Sequence, residues 1–213
     1  ILDPIILELA LTSKAGYAAI FALIGFILIG ISTRHEIVSI KFLGWLGIGF
    51  VLLSFIYTGH SQKSGILAQI LLLFHLICVA FWLGSFIPLY NMCSSANTSN
   101  LHVIAHRFGV LAIFYLVVLI ISGGSFAYIL MNDISLLFST SYGNAFLIKM
   151  SLVSLLLLFG ALNKFKNVPL IRNEPTVGSL QLKKSIRIEM YIVLLILSST
   201  SILTTSMTLP MGG

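Results

Sequence analysis

Residues 65–92 read GILAQILLLFHLICVAFWLGSFIPLYNM, and no Asp, Glu, Lys or Arg interrupts them. A helix rises about 1.5 Å per residue and the hydrocarbon layer is about 30 Å thick, so about 20 apolar residues cross it. This stretch is long enough to cross with tilt or to extend past the bilayer. Lipid offers no partner to a backbone N–H or C=O, so the stretch is predicted to be helical. A membrane barrel strand would be short and alternating, and this run is continuous.

Further apolar runs lie at 15–32, 42–59, 103–131, 143–163 and 189–208. Together they predict an all-α polytopic transmembrane helix bundle of about six spans. The connections at 58–65 (TGHSQKSG, from Thr58) and 93–101 (CSSANTSNL) are short and polar. Turns of that length join antiparallel neighbours into hairpins. The chain of 213 residues is 58% hydrophobic and 8% charged, whereas soluble domains carry about a quarter charged residues. It therefore reads as a single transmembrane domain over 1–213. Residues 1–13 are apolar but carry Asp3, Pro4 and Glu8, and are expected to lie at the interface rather than to span. The chain opens on Ile1 and shows no signal peptide with a small-residue cleavage site, so upstream residues are expected.

The net charge of +6 comes from 12 Lys and Arg against 6 Asp and Glu. Nine of the 12 basic residues fall on one side of the predicted topology: Arg34, Lys41, Arg107, Lys164, Lys166, Arg172, Lys183, Lys184 and Arg187. Lys14, Lys63 and Lys149 fall on the other. The positive-inside bias makes the first side cytoplasmic and puts both termini in the periplasm. The stretch 164–188 is expected to be a solvated cytoplasmic loop. Aromatic interleaving or a recognition fold for nucleic acid is missing. Two cysteines, Cys78 and Cys93, make no disulfide framework.

An ionisable residue inside a span is a functional candidate. Of the five histidines, His75 is the deep one, about ten residues into its span and so roughly 15 Å below its outer end. Cys78 and Trp82 follow it at i+3 and i+7, on the same helix face. Imidazole and thiol suit copper and zinc, but a histidine hydrogen-bonded to a neighbouring helix beside a small buried thiol fits the same spacing. His60 lies at the outer end of the second span. Met207 and Met211 sit near the outer end of the last, and their thioethers favour Cu(I) over Mg or Ca. His102 and His106 are four apart on one face, with Cys93 nearby in sequence as a conceivable third ligand. Asn163 closes its helix on the inner side as a cap or a packing residue, and Gly84, Gly123, Gly124 and Gly160 read as small packing residues. A nucleophile elbow, an HExxH helix and a P-loop are all missing, and no predicted span centre carries a carboxylate, so an enzyme is not expected.

These residues form a pattern. Gly59-His60 precedes His75-Leu76 and Trp82-Leu83-Gly84. Arg107-Phe108 opens a helix that later carries Ser122-Gly123. Tyr142-Gly143 precedes Lys149 and Ala161-Leu162-Asn163-Lys164-Phe165, and Arg187 and Glu189 form an R-x-E. In this order, over about 42–208, the chain resembles the CopD/PcoD copper-resistance membrane protein family in a short form. The resemblance implies copper handling in the bacterial inner membrane, with transport from periplasm toward cytoplasm. It also implies a small periplasmic CopC-like copper protein as partner, and further spans upstream. On that reading His60 captures the ion, His75 is the intramembrane site, and Cys78, Met207 and Met211 assist. The alternatives are a haem-b redox protein, which needs two histidines at similar depth, and a non-catalytic assembly subunit. A homo-oligomer is compatible with each.

Overall fold

The computed structural model describes residues 3–34, 38–57, 65–94, 100–131 and 135–205. His35, His60, Asp133, Met207 and Met211 lie outside them. Among the described residues every regular element is helical. In chain order they are α1 (Pro4–Thr12), α2 (Lys14–Arg34), α3 (Val38–Tyr57), α4 (Gly65–Met92), α5 (Leu101–Met131), α6 (Leu136–Ser139), α7 (Ser141–Leu162), a π-turn (Asn163–Asn167), α8 (Val168–Asn173) and α9 (Pro175–Thr205).

Five of these stretches are long and apolar enough to cross a bilayer: Lys14–Arg34, Gly65–Met92, Leu101–Ile129, Ser141–Asn173 and Pro175–Leu203. The second expected span corresponds to α3, whose apolar stretch, Ile40–Ile56, is shorter. Large apolar side chains point outward along these helices: Trp45 is 73% exposed, Phe114 66% and Ile148 62%. Such a surface suits lipid and not water. The chain is a polytopic transmembrane helix bundle.

The chain divides into two compact units, Ile1–Leu76 and Ile77–Gly213. The first is dominated by the α2–α3 hairpin. Gly25 and Gly47 meet backbone to backbone: a Cβ on either would lie 2.7 Å from the other's carbonyl oxygen. Phe21 and Phe50 stack beside them with centroids 5.8 Å apart. α1 is exposed along its whole length and starts on Asp3, whose carboxylate accepts the Ile5 N–H at 3.0 Å.

The second unit has its core at the end where α4 finishes and α5 begins. Trp82, Phe86, Leu89, Leu101, Ile171 and Ile186 are buried there together. Phe81 of α4 stacks on Tyr115 of α5 at 3.8 Å between centroids. At the other end Tyr142 and Leu203 form a small separate cluster, and Thr140 caps α7 by accepting the Gly143 N–H at 3.0 Å.

The expectation of a solvated loop over 164–188 does not hold. α7 runs on through the π-turn into α8, and after Glu174 the chain re-enters helix at Pro175. The corner is tight: the Glu174 N–H donates to Leu170 O, and the Gly178 N–H to Glu174 O, both at 2.8 Å. Proline suits the first turn of α9, where an N–H would have no helical partner. Gly178 lets α9 lie against α8, because a Cβ there would meet the Ile171 backbone nitrogen at 2.5 Å. Basic residues made this stretch read as a loop. Lys183, Lys184 and Arg187 occupy one face of α9, while Ser179, Leu182, Ser185, Ile186, Glu189 and Ile192 form a buried stripe on the other.

Candidate functional site

Of the five expected ligands, the structure describes His75 and Cys78, while His60, Met207 and Met211 lie outside the described residues. His75 and Cys78 are one helical turn apart in α4. Cys78 is buried, at 3% exposure, and His75 is half-buried. Among the described residues no three His, Cys, Asp or Glu side chains come together to hold a metal ion.

His102 and His106 open α5, with ring centroids 6.1 Å apart and planes 28° from parallel. His106 is exposed and His102 half-buried. Cys93 follows α4 and is buried; burial pushes its thiol up to about 11, against a weaker opposing pull from Lys183. Cys93 does not come together with His102 and His106 as a three-ligand group.

The most connected polar group of the second unit was not legible as a site. Glu189, counted from the sequence as the first residue of the last span, lies well inside α9 and is 2% exposed. Asn163 Nδ2 donates to Glu189 Oε1, in a short contact. Asn167 Nδ2 donates in turn to Asn163 Oδ1 at 2.7 Å. The Ser185 hydroxyl reaches the same Oε1 at 3.4 Å, and the Trp82 indole N–H of α4 also faces the carboxyl group. Asn163 closes α7, as expected, and its side chain packs inward against Glu189. It sits where the helix widens: the Val168 N–H bonds to Asn163 O, the i to i+5 pattern of a π-turn. Such turns are frequent at functional positions.

Beside this cluster is a cavity of about 150 Å³, lined by Glu189, Asn163 and Lys164 among apolar and aromatic side chains that include Trp82, Phe108 and Leu157. Lys164 Nζ donates to Gly109 O of α5 at 2.8 Å. Trp82 is seated by Gly160, where a Cβ would lie 2.9 Å from the indole ring. The packing role expected of Gly160 is met. Gly84 and Gly124 face open space instead. Arg187, two residues before Glu189, turns the other way and donates to the Tyr90 hydroxyl of α4 at 2.9 Å, with Lys183 over the same ring at 5.0 Å. The R-x-E pair thus ties α9 to α4 twice, once on the outer face and once inside.

Two sequence signals pointed here. Asn163 and Asn167 are four apart, as are Ser185 and Glu189, so each pair shares a helix face. Glu189 also falls on the buried stripe of α9.

Residues 102–203 match the family model described as CopD, copper resistance protein D. Over that stretch, just under half of its length, the chain is similar to the CopD family. The chain is thus a multi-pass membrane protein whose second half is similar to a copper-resistance family. Neither the curated proteins nor the solved structures contain a match to this chain. The matched stretch holds Asn163, Lys164, Asn167, Ser185 and Glu189. His75, Cys78 and Trp82 lie before it.

Proposed function

We propose that this protein conducts copper across the bacterial inner membrane, from periplasm toward cytoplasm. The family match within a polytopic apolar bundle carries the reading. His75 and Cys78, one turn apart within α4, supply imidazole and thiol, which suit Cu(I) better than Cu(II). His60 is the outer capture residue, and Met207 and Met211 are soft auxiliary ligands near the same side. Few ligands at different depths suit a conducted ion, which must leave as readily as it enters. No nucleotide-binding motif is present in the sequence, so the flux follows the copper gradient or a coupled partner such as a periplasmic copper-binding protein. Both termini face the periplasm, following the basic-residue bias.

The test is the copper content of purified protein. His75→Ala should lose bound copper, and His60→Ala should keep part of it, because water replaces a rim ligand more readily than a buried one. Full copper occupancy and unchanged copper-dependent growth in both variants would remove the histidines from the pathway.

A further inference from the structure

We propose that Glu189 is a membrane-buried proton-binding site of this protein, in exchange with water through the cavity beside it. The carboxyl group is almost fully enclosed, in a helix that exposes Tyr191, Leu194 and Leu195 just beyond it. Its partners are Asn163, Ser185 and Trp82, all neutral. Among the described residues no basic side chain makes an ion pair with it. Lys164, the other titratable group facing the cavity, is held by the Gly109 carbonyl on α5. On α9, Arg187 and Lys183 are drawn to Tyr90 of α4. Neutral donors reduce the cost of a buried charge but bring no counter-charge, and an uncompensated carboxylate is expensive inside a membrane bundle. The group therefore takes up a cation.

The surrounding atoms select which cation. A metal ion needs lone pairs directed at it. Asn163 turns its N–H toward Glu189, because its carbonyl oxygen is occupied by Asn167 at 2.7 Å. The Trp82 indole nitrogen has no lone pair to give. Ser185 is the one neutral partner of Glu189 with a lone pair available, and its oxygen is 3.4 Å from Oε1. The rest of the wall includes aromatic and aliphatic side chains. That set offers a metal ion few lone pairs, whereas a proton needs only a carboxyl oxygen. Exchange needs water, and a water molecule occupies about 30 Å³ in the liquid. The cavity of about 150 Å³ has room for it, with Glu189, Asn163 and Lys164 as polar anchors. The site holds no copper ligand set, so it is separate from the histidine and thiol of α4.

Infrared spectroscopy of the full chain, metal-free and in lipid at neutral pH, reads this directly. The wild type should show a protonated carboxyl C=O band that shifts within minutes of transfer to heavy water. Glu189→Gln, which keeps the shape of the side chain, should lose the band completely. Labelling wild-type protein with ¹³C-glutamate should move the same band, so the assignment does not depend on the variant folding. A band unaffected by the label, or the absence of any such band, would show Glu189 ionised and overturn the proposal. A band that resists heavy water for hours would make it a sealed structural acid, and the exchanging site would also be wrong. Because no copper is present, this outcome is independent of whether the copper-conduction reading survives.

Discussion

The α2–α3 hairpin and the α7–α9 pair are both built from long apolar helices, yet they close on different chemistry. In the hairpin the backbones touch at Gly25 and Gly47. Between α7 and α9 the link is made by side chains, with the Asn163 amide of the π-turn against the Glu189 carboxyl group. Lipid tails are as apolar as leucine, so helices in a membrane gain little from burying apolar surface against each other. Close van der Waals approach and polar contacts do the selecting. The first solution fixes a hairpin and leaves nothing ionisable inside the contact. The second leaves a titratable group in the interior beside a cavity. The contrast separates a scaffold from a candidate working part.

The largest effect is expected where the backbones touch. Gly25→Leu would force a side chain into the 2.7 Å gap to the Gly47 carbonyl, which cannot rotate away. Overpacking costs about 1–3 kcal/mol and sometimes more, so the variant should unfold well below the wild type in a thermal or detergent-induced melt. Gly49, whose Cβ would meet nothing within 4 Å, is the control: Gly49→Leu should tolerate the same residue. Equal losses in both variants would mean that the glycine contact does not hold the hairpin.

A smaller loss is expected in the polar pair. Asn163→Ala removes the donor to Glu189 and the acceptor for Asn167 together. Leaving buried polar groups without their partner costs about 1–3 kcal/mol. The loss should shrink in a Glu189→Leu background, where one of the stranded groups is gone, and the double-mutant cycle measures that coupling. Strict additivity of the two substitutions would show that the contact contributes nothing to the fold.

The spans were legible because lipid imposes one rule on every residue of a helix. Runs such as 65–92 therefore announce themselves by composition alone. The stretch 164–188 was not legible by the same rule. Lys164, Lys166, Lys183, Lys184 and Arg187 lower its average hydropathy, while Leu182 and Ile186, four apart, keep a helical spacing that a sliding average hides. Glu189 was missed in consequence, since a span that starts at 189 places it at an interface. The residue order of the R-x-E was visible, but the opposite directions of its two side chains depend on where the helix begins. Asn163 was visible as a polar residue at the end of an apolar run. Its role depends on the π-turn, whose extra residue has no signature in the composition. His75 and Cys78 were legible as an imidazole and a thiol on one face, and the helix α4 agrees with that spacing.

The smallest effect is expected from the other histidine pair. His102 and His106 have the i, i+4 spacing that can chelate a metal, and their rings do approach to 6.1 Å. A two-ligand site of that kind is weak without a third donor, and among the described residues no third His, Cys, Asp or Glu joins the pair. His106 is also exposed, where substitutions typically change stability by no more than about 0.5 kcal/mol. The double variant His102→Ala/His106→Ala should therefore melt close to the wild type and retain its copper content and copper-dependent growth. Retained folding with loss of copper accumulation would place an ion-exit site at the start of α5.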